Sequence, residues 1–131
     1  MVSLEDAAAI ALELPEVNEG LSYGHRAWSV AGKVFAWERP FSKADIKRFG
    51  DAPVPGGPIF AVRVEDLGEK QAVLASAGKA FFTIAHFDGY PAVLIQLDKV
   101  GKRALRAAIV DAWLACAPTT LAESYLARRP R

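Results

Sequence analysis

The chain has a single cysteine, Cys116, in 131 residues. No intramolecular disulfide can form and a zinc site built on cysteine pairs is excluded, usage that fits a reducing compartment. Histidine is almost as sparse, at two residues, and neither sits in an H-E-x-x-H pattern. A G-x-S-x-G nucleophile motif is absent, and Gly56-Gly57 lacks the lysine and spacing of a phosphate loop. No Lys or Arg precedes Arg26, and Glu5, Asp6 and Glu13 interrupt the alanine-rich start. A signal peptide needs a basic leader and an unbroken apolar stretch, so none is expected. Apolar runs of the ~18 residues needed to cross a bilayer are also missing. These absences predict a cytoplasmic protein without a membrane partner, a resident metal, a cofactor or a recognisable catalytic centre.

What is present is an ordinary globular composition, 52% hydrophobic and 24% charged, too apolar for a disordered chain. The length predicts one domain spanning 1–131, in which roughly two-thirds of the unfolded surface is buried. Net charge is only +1, yet the charges are segregated. Residues 1–25 carry −5, 26–48 carry +4, 49–98 carry −3 and 99–131 carry +5. Two basic stretches separated by acidic ones make a dipolar surface if folding brings them together, and a mixed solvated surface if it does not.

Helices announce themselves by their caps. Ser3 with Asp6, Ser42 with Asp45, Asp66 with Glu69 and Thr120 with Glu123 each have the spacing that satisfies orphan amides at a helix start. The first opens a helix through Leu4, Ala7, Ala8, Ala11 and Leu14, ended by Pro15; the second predicts a helical turn over 42–49 stopped by Gly50. The third opens a helix ending at Gly78. Leu105, Ala108, Ile109, Ala112, Trp113 and Cys116 form one apolar stripe, the mark of a long amphipathic helix before Pro118. The fourth opens a short terminal helix that trails into Arg128, Arg129 and Arg131.

Strand-like runs cover 26–30 and 33–39, joined by Ala31-Gly32 as a two-residue hairpin, then 59–64, 80–84 and 92–97. In that hairpin Trp28 faces Phe35 and Arg26 faces Trp37, so Trp28, Val30, Phe35 and Trp37 share one face. The apolar run around Leu94 and Ile95 predicts an interior strand. Glu16 and Glu19, with Gly20 and Gly24, read as an acidic loop and a solvated edge. The connection 39–58 is long enough to suggest function.

With these elements in order, "ALELPEV", "GHRAWSVAGKVFAW", "AFFTIAHFDGYPAVLIQLD" and "LRAAIVDAWLACAP" resemble the MmcQ/YjbR family over nearly the whole chain. The resemblance implies an α+β fold related to the frataxin-like arrangement. An antiparallel sheet of about five strands would carry the N- and C-terminal helices packed on one face. It also implies the family's common description as DNA-binding, with hairpins as wings, and a fold of this kind does not itself dictate function.

Three functional readings follow. The first is a non-enzymatic binding module for DNA or another anionic partner. Arg26, Lys33, Arg39, Lys43, Lys47 and Arg48 would contact phosphates around a hairpin whose aromatics form the core face. Lys102, Arg103 and Arg106 could add an anion site at the start of the closing helix, or simply reach solvent. An isoelectric point near 7.9 is low for a dedicated DNA binder. The second is a small-ligand or enzyme-like pocket from Tyr23, His25, His86, Asp88 and Tyr90, if their loops meet; structural hydrogen bonding is the plainer role for them. The third is a protein-interaction surface on 39–58, which predicts an exposed apolar patch of Phe41, Ile46 and Phe49.

Overall fold

The structure, a computed structural model, describes residues 2–128; Arg129 and Arg131 lie outside the described residues. Six antiparallel strands form one sheet: β1 (Val17–Ser22), β2 (His25–Val30), β3 (Lys33–Glu38), β4 (Ile59–Arg63), β5 (Phe81–Phe82) and β6 (Ala92–Gln96). Their order across the sheet is β1-β2-β3-β4-β6-β5, which makes β4 and β6 interior, as the apolar run predicted. Among the described residues five helices accompany the sheet: α1 (Leu4–Leu12), α2 (Lys43–Phe49), α3 (Leu67–Ser76), α4 (Lys102–Cys116) and α5 (Thr119–Arg128). The expected antiparallel α+β fold is present, with the N- and C-terminal helices on one face.

The caps work as their spacing indicates. Ser3 and Ser42 each complete a reciprocal box with the acid three residues on, and Asp66 accepts from the Glu69 amide at 2.8 Å. Each such cap contributes about 1 kcal/mol. On α4 the buried residues are Leu105, Ile109, Ala112, Trp113 and Cys116, the stripe read from periodicity. The Trp113 indole donates to the Pro15 carbonyl at 3.1 Å, which ties the long helix to the turn after α1.

Residues of β4 and β6 alternate strictly between two cores. Phe60, Val62, Val93 and Ile95 point to the helix-covered face, with Trp28, Val30, Phe35, Leu105 and Trp113. Ile59, Ala61, Ala92 and Leu94 point the other way, into a smaller cluster with Ile84 and Phe87. Burial on both faces is why β4 and β6 read as continuous apolar runs rather than alternating ones.

Two details depart from the sequence reading. The acidic loop is strand β1, paired along its full length with β2. Tyr23 and Gly24 both have positive φ, the geometry of a type I′ hairpin turn, and Ala31 and Gly32 repeat it between β2 and β3. The strand was hidden because it is almost wholly exposed and contains Gly20, so neither alternation nor propensity marks it. The second departure is a register shift. Val30 does face Lys33, but Trp28 faces Ala36 and Ala27 faces Trp37. Phe35 is the extra residue of a β-bulge, and a shift of one residue sends every following side chain to the opposite face. Trp37 therefore leaves the main core and joins Phe87 on the other side, with ring centroids 6.2 Å apart.

Candidate functional site

Only part of the second face is covered. α2 and the 3-10 turn Ala85–Phe87 lie over it, joined by Phe41 and Phe49, which pack edge to face at 5.4 Å. Of the expected interaction patch, Phe41 and Phe49 thus turn inward, and only Ile46 stays exposed, at 48%. Beside this cover lies an open groove of roughly 890 Å³. Its floor comes from Val34 and Trp37, and one wall from Phe41, Ala44 and Arg48. His86, Phe87 and Tyr90 make the second wall, and Tyr23 and His25 at the β1–β2 turn form the lip.

The groove gathers four of the five pocket residues expected from sequence: Tyr23, His25, His86 and Tyr90. Asp88 is not among its lining residues; its carboxylate instead acts on Lys70. Tyr23 is fully exposed, and Tyr90 stands edge-on to Phe87 at 5.8 Å. His25 approaches Glu38 at 3.9 Å, too far for a direct hydrogen bond.

Two buried charged residues, which sequence reasoning did not single out as site residues, hold the walls. Lys70 on α3 is 4% exposed and donates to the Phe87 and Tyr90 carbonyls at 2.6 and 2.9 Å. It pins the loop that carries His86 and Tyr90. Burial lowers its pKa from the usual lysine value, with the Asp88 charge opposing. No pattern around Lys70 signals this role, because a lone lysine on a helix normally faces solvent.

Asp45 is 3% exposed and holds the other wall. It accepts from the Ser42 amide at 2.9 Å and pairs with Arg39 at 2.9 Å. Burial pushes its carboxyl up, but the Ser42 bonds and the Arg39 guanidinium outweigh that, leaving the pKa below the ordinary aspartate value. The capping signal revealed Asp45, but nothing in the sequence revealed its burial.

The structure disperses the expected basic surface. Arg26 is held by Glu5 and by Glu19, the latter at 2.8 Å, and lies over the Trp28 ring. Glu19, expected to be solvated, also accepts from the Trp28 indole at 3.0 Å. Lys33 sits beside the β2–β3 turn, at the far end of the hairpin from His25. Arg39 is engaged by Asp45 and stacks on Phe87. Lys102 and Arg103 begin α4, on the helix-covered face, and Arg106 pairs with Glu13 at 2.7 Å. Lys43, Lys47 and Arg48 remain together on α2, on the opposite side of the sheet. The 26–48 and 99–106 bases do not form one positive face.

Among the described residues, no group of three or more His, Cys, Asp or Glu side chains is placed to hold a metal ion. No described helix is long and apolar enough to cross a membrane. Cys116 is buried, and burial raises its thiol pKa, which keeps it protonated and unreactive.

Comparison with known proteins agrees with this architecture. The YjbR family model matches residues 12–115. Uncharacterized protein Rv2570 of Mycobacterium tuberculosis is 42% identical over 130 residues, covering 97% of this chain and 98% of its own. Uncharacterized protein Mb2600 of Mycobacterium bovis matches with the same identity and coverage. The crystal structure of Deinococcus radiodurans protein DR2400, a DUF419 domain, superposes with a TM-score of 0.59 at 16% identity. That match covers 87% of this chain and 78% of the other, and at such identity it shows the fold alone.

Proposed function

The chain belongs to the YjbR family, and from that premise we propose that it is a small-ligand-binding protein that uses the groove on the half-covered sheet face. The observation that carries the reading is convergence. Tyr23 and His25 come from one hairpin turn and His86 and Tyr90 from a loop some sixty residues later, yet all four line one concavity with Trp37 and Phe41. Concave, largely aromatic sites with a few polar groups are what small ligands occupy. The lone thiol is buried in the other core and takes no part in the groove.

The test is a ligand-observed NMR screen against the folded protein and an Ala44→Trp variant. Ala44 is exposed and lines the groove, so an indole there fills the space without disturbing either core. Compounds are expected to bind the native chain and lose binding in the variant. Hits that ignore the substitution, or a screen without hits, would remove the groove as a site.

Duplex DNA is the less favoured partner, since the cations free to meet one backbone reduce to Lys43, Lys47 and Arg48. Neutralising three phosphates gives a log–log salt slope of about −3. Tight binding with a slope near −5 or steeper would favour DNA over the small ligand.

A further inference from the structure

We infer that the occupant of the groove is a planar aromatic molecule bearing a single anionic group, and that Arg48 is the residue that reads the anion; the inference rests on the groove being a ligand site. It comes from a mismatch in charge on one wall. Asp45 serves two guanidinium groups. Its Oδ2 takes Arg39 at 2.9 Å and the Ser42 amide at 2.9 Å. Its Oδ1 faces Arg48 Nη1 at 3.6 Å, an ion-pair distance beyond hydrogen-bond reach. One carboxylate neutralises one guanidinium, and the closer, less exposed partner is Arg39. Its side chain is 18% exposed against 52% for Arg48.

The other carboxylate on the groove, Glu38, is turned to the start of β2, where it accepts from the Arg26 amide at 3.4 Å and lies 3.9 Å from the His25 imidazole. It makes no ion pair with Arg48, whose nearest carboxylate is the one already taken by Arg39. Arg48 is therefore a half-exposed cation without a carboxylate of its own, on the wall of a groove lined by aromatic rings. Its guanidinium is planar and presents a fork of donors matched to a carboxylate or a phosphoryl group. Asp45, set behind it, holds the fork near the groove without satisfying it.

The body of the ligand is specified by the rings. Trp37 stacks against Phe87, and Tyr90 crosses Phe87 edge-on with Arg63 over its ring, which leaves part of the Trp37 ring and an exposed portion of Tyr90 open to the groove. Tyr23 faces them from the lip with its ring uncovered. Rings in offset or edge-on contact favour a flat π-system between them over a flexible aliphatic chain. One surplus charge beside a flat apolar slot suits a monoanion, whereas a polyanion would need a row of cations.

The test uses 1-naphthoate and its neutral amide, 1-naphthamide, with affinities measured by calorimetry on the native chain and on Arg48→Gln, Lys47→Gln and Ala44→Trp variants. The native chain is expected to prefer the acid by about tenfold, the size of one charge-assisted hydrogen bond. Arg48→Gln should erase that preference with the circular dichroism spectrum unchanged, Lys47→Gln should keep it, and Ala44→Trp should abolish binding of both probes. Equal binding of acid and amide to the native chain, or a preference that survives Arg48→Gln, overturns the charge assignment while leaving the groove as a site. Absence of binding by either probe overturns the aromatic class, and binding untouched by Ala44→Trp overturns the groove as well.

Discussion

The two faces of the sheet are built from the same strands and differ in what covers them. On one side α1, α3, α4 and α5 close over a continuous core that includes the fully buried Trp28, Phe35, Phe60 and Trp113. On the other, a seven-residue helix and one 3-10 turn cover the ends of β4 and β6 and leave the β2–β3 hairpin open. The closed face carries stability. The half-covered face keeps aromatic and cationic groups in contact with water, which costs stability and leaves them free to meet a ligand.

Substituting the tryptophans tests that division most severely. Trp113→Ala, on the closed face, should lower unfolding free energy by about 3–5 kcal/mol in urea titrations. Trp37→Ala, at a partly buried position on the groove floor, should cost about 1–3 kcal/mol by the same logic and remove ligand binding. Equal losses would show that the two faces share the work of stabilisation.

Asp45 gives a subtler separation. Replacing it by Asn leaves Arg39 without its anion, and since that guanidinium can still reach water the loss should be about 1–3 kcal/mol. The pH dependence has a definite sign. A carboxyl whose folded pKa lies below its unfolded value stabilises the fold fully above the unfolded pKa, near 4. That contribution disappears as pH falls through the lower, folded value. Asp45 is such a group, so native and Asp45→Asn chains should differ most at neutral pH and converge as pH falls through the folded value. A gap that persists in acid would mean that Asp45 acts through its shape rather than its charge.

The smallest effect is expected at Lys70. Methionine there keeps the apolar stem and removes both bonds to the 85–91 loop, at a cost of about 1–2 kcal/mol, moderated by water reaching the freed carbonyls. Amide exchange should quicken in that loop and not in α4. Uniform quickening through both would place Lys70 in the main core's stability instead of the groove wall.

Much of the fold was legible in the chain. Three of the four capping pairs marked helix starts, while Thr120 lies inside α5, which begins one residue earlier; the apolar stripe marked α4, and Ala31-Gly32 marked the hairpin. The resemblance to MmcQ/YjbR proteins agreed with the family match and with the antiparallel α+β fold. Four of the five pocket residues were named before their loops were known to meet. Strand β1 escaped because an exposed edge strand needs no apolar alternation, only a neighbour to bond. The pairing of Arg26, Arg39 and Arg106 with carboxylates was not legible, because a charge count does not say which charges meet in the fold.

What the sequence determined by itself is local: caps, turns and periodicities act between residues a few positions apart, and their energetics travel with the chain. The tertiary structure alone decided the bulge at Phe35, which turned Trp37 from core residue to groove floor. It alone decided the capture of Arg26 by Glu5 and Glu19, the burial of Lys70 and Asp45, and the separation of the α2 bases from those that open α4 by the sheet. Each of these depends on distances between elements far apart in sequence, and electrostatic and packing energies respond to those distances rather than to order along the chain.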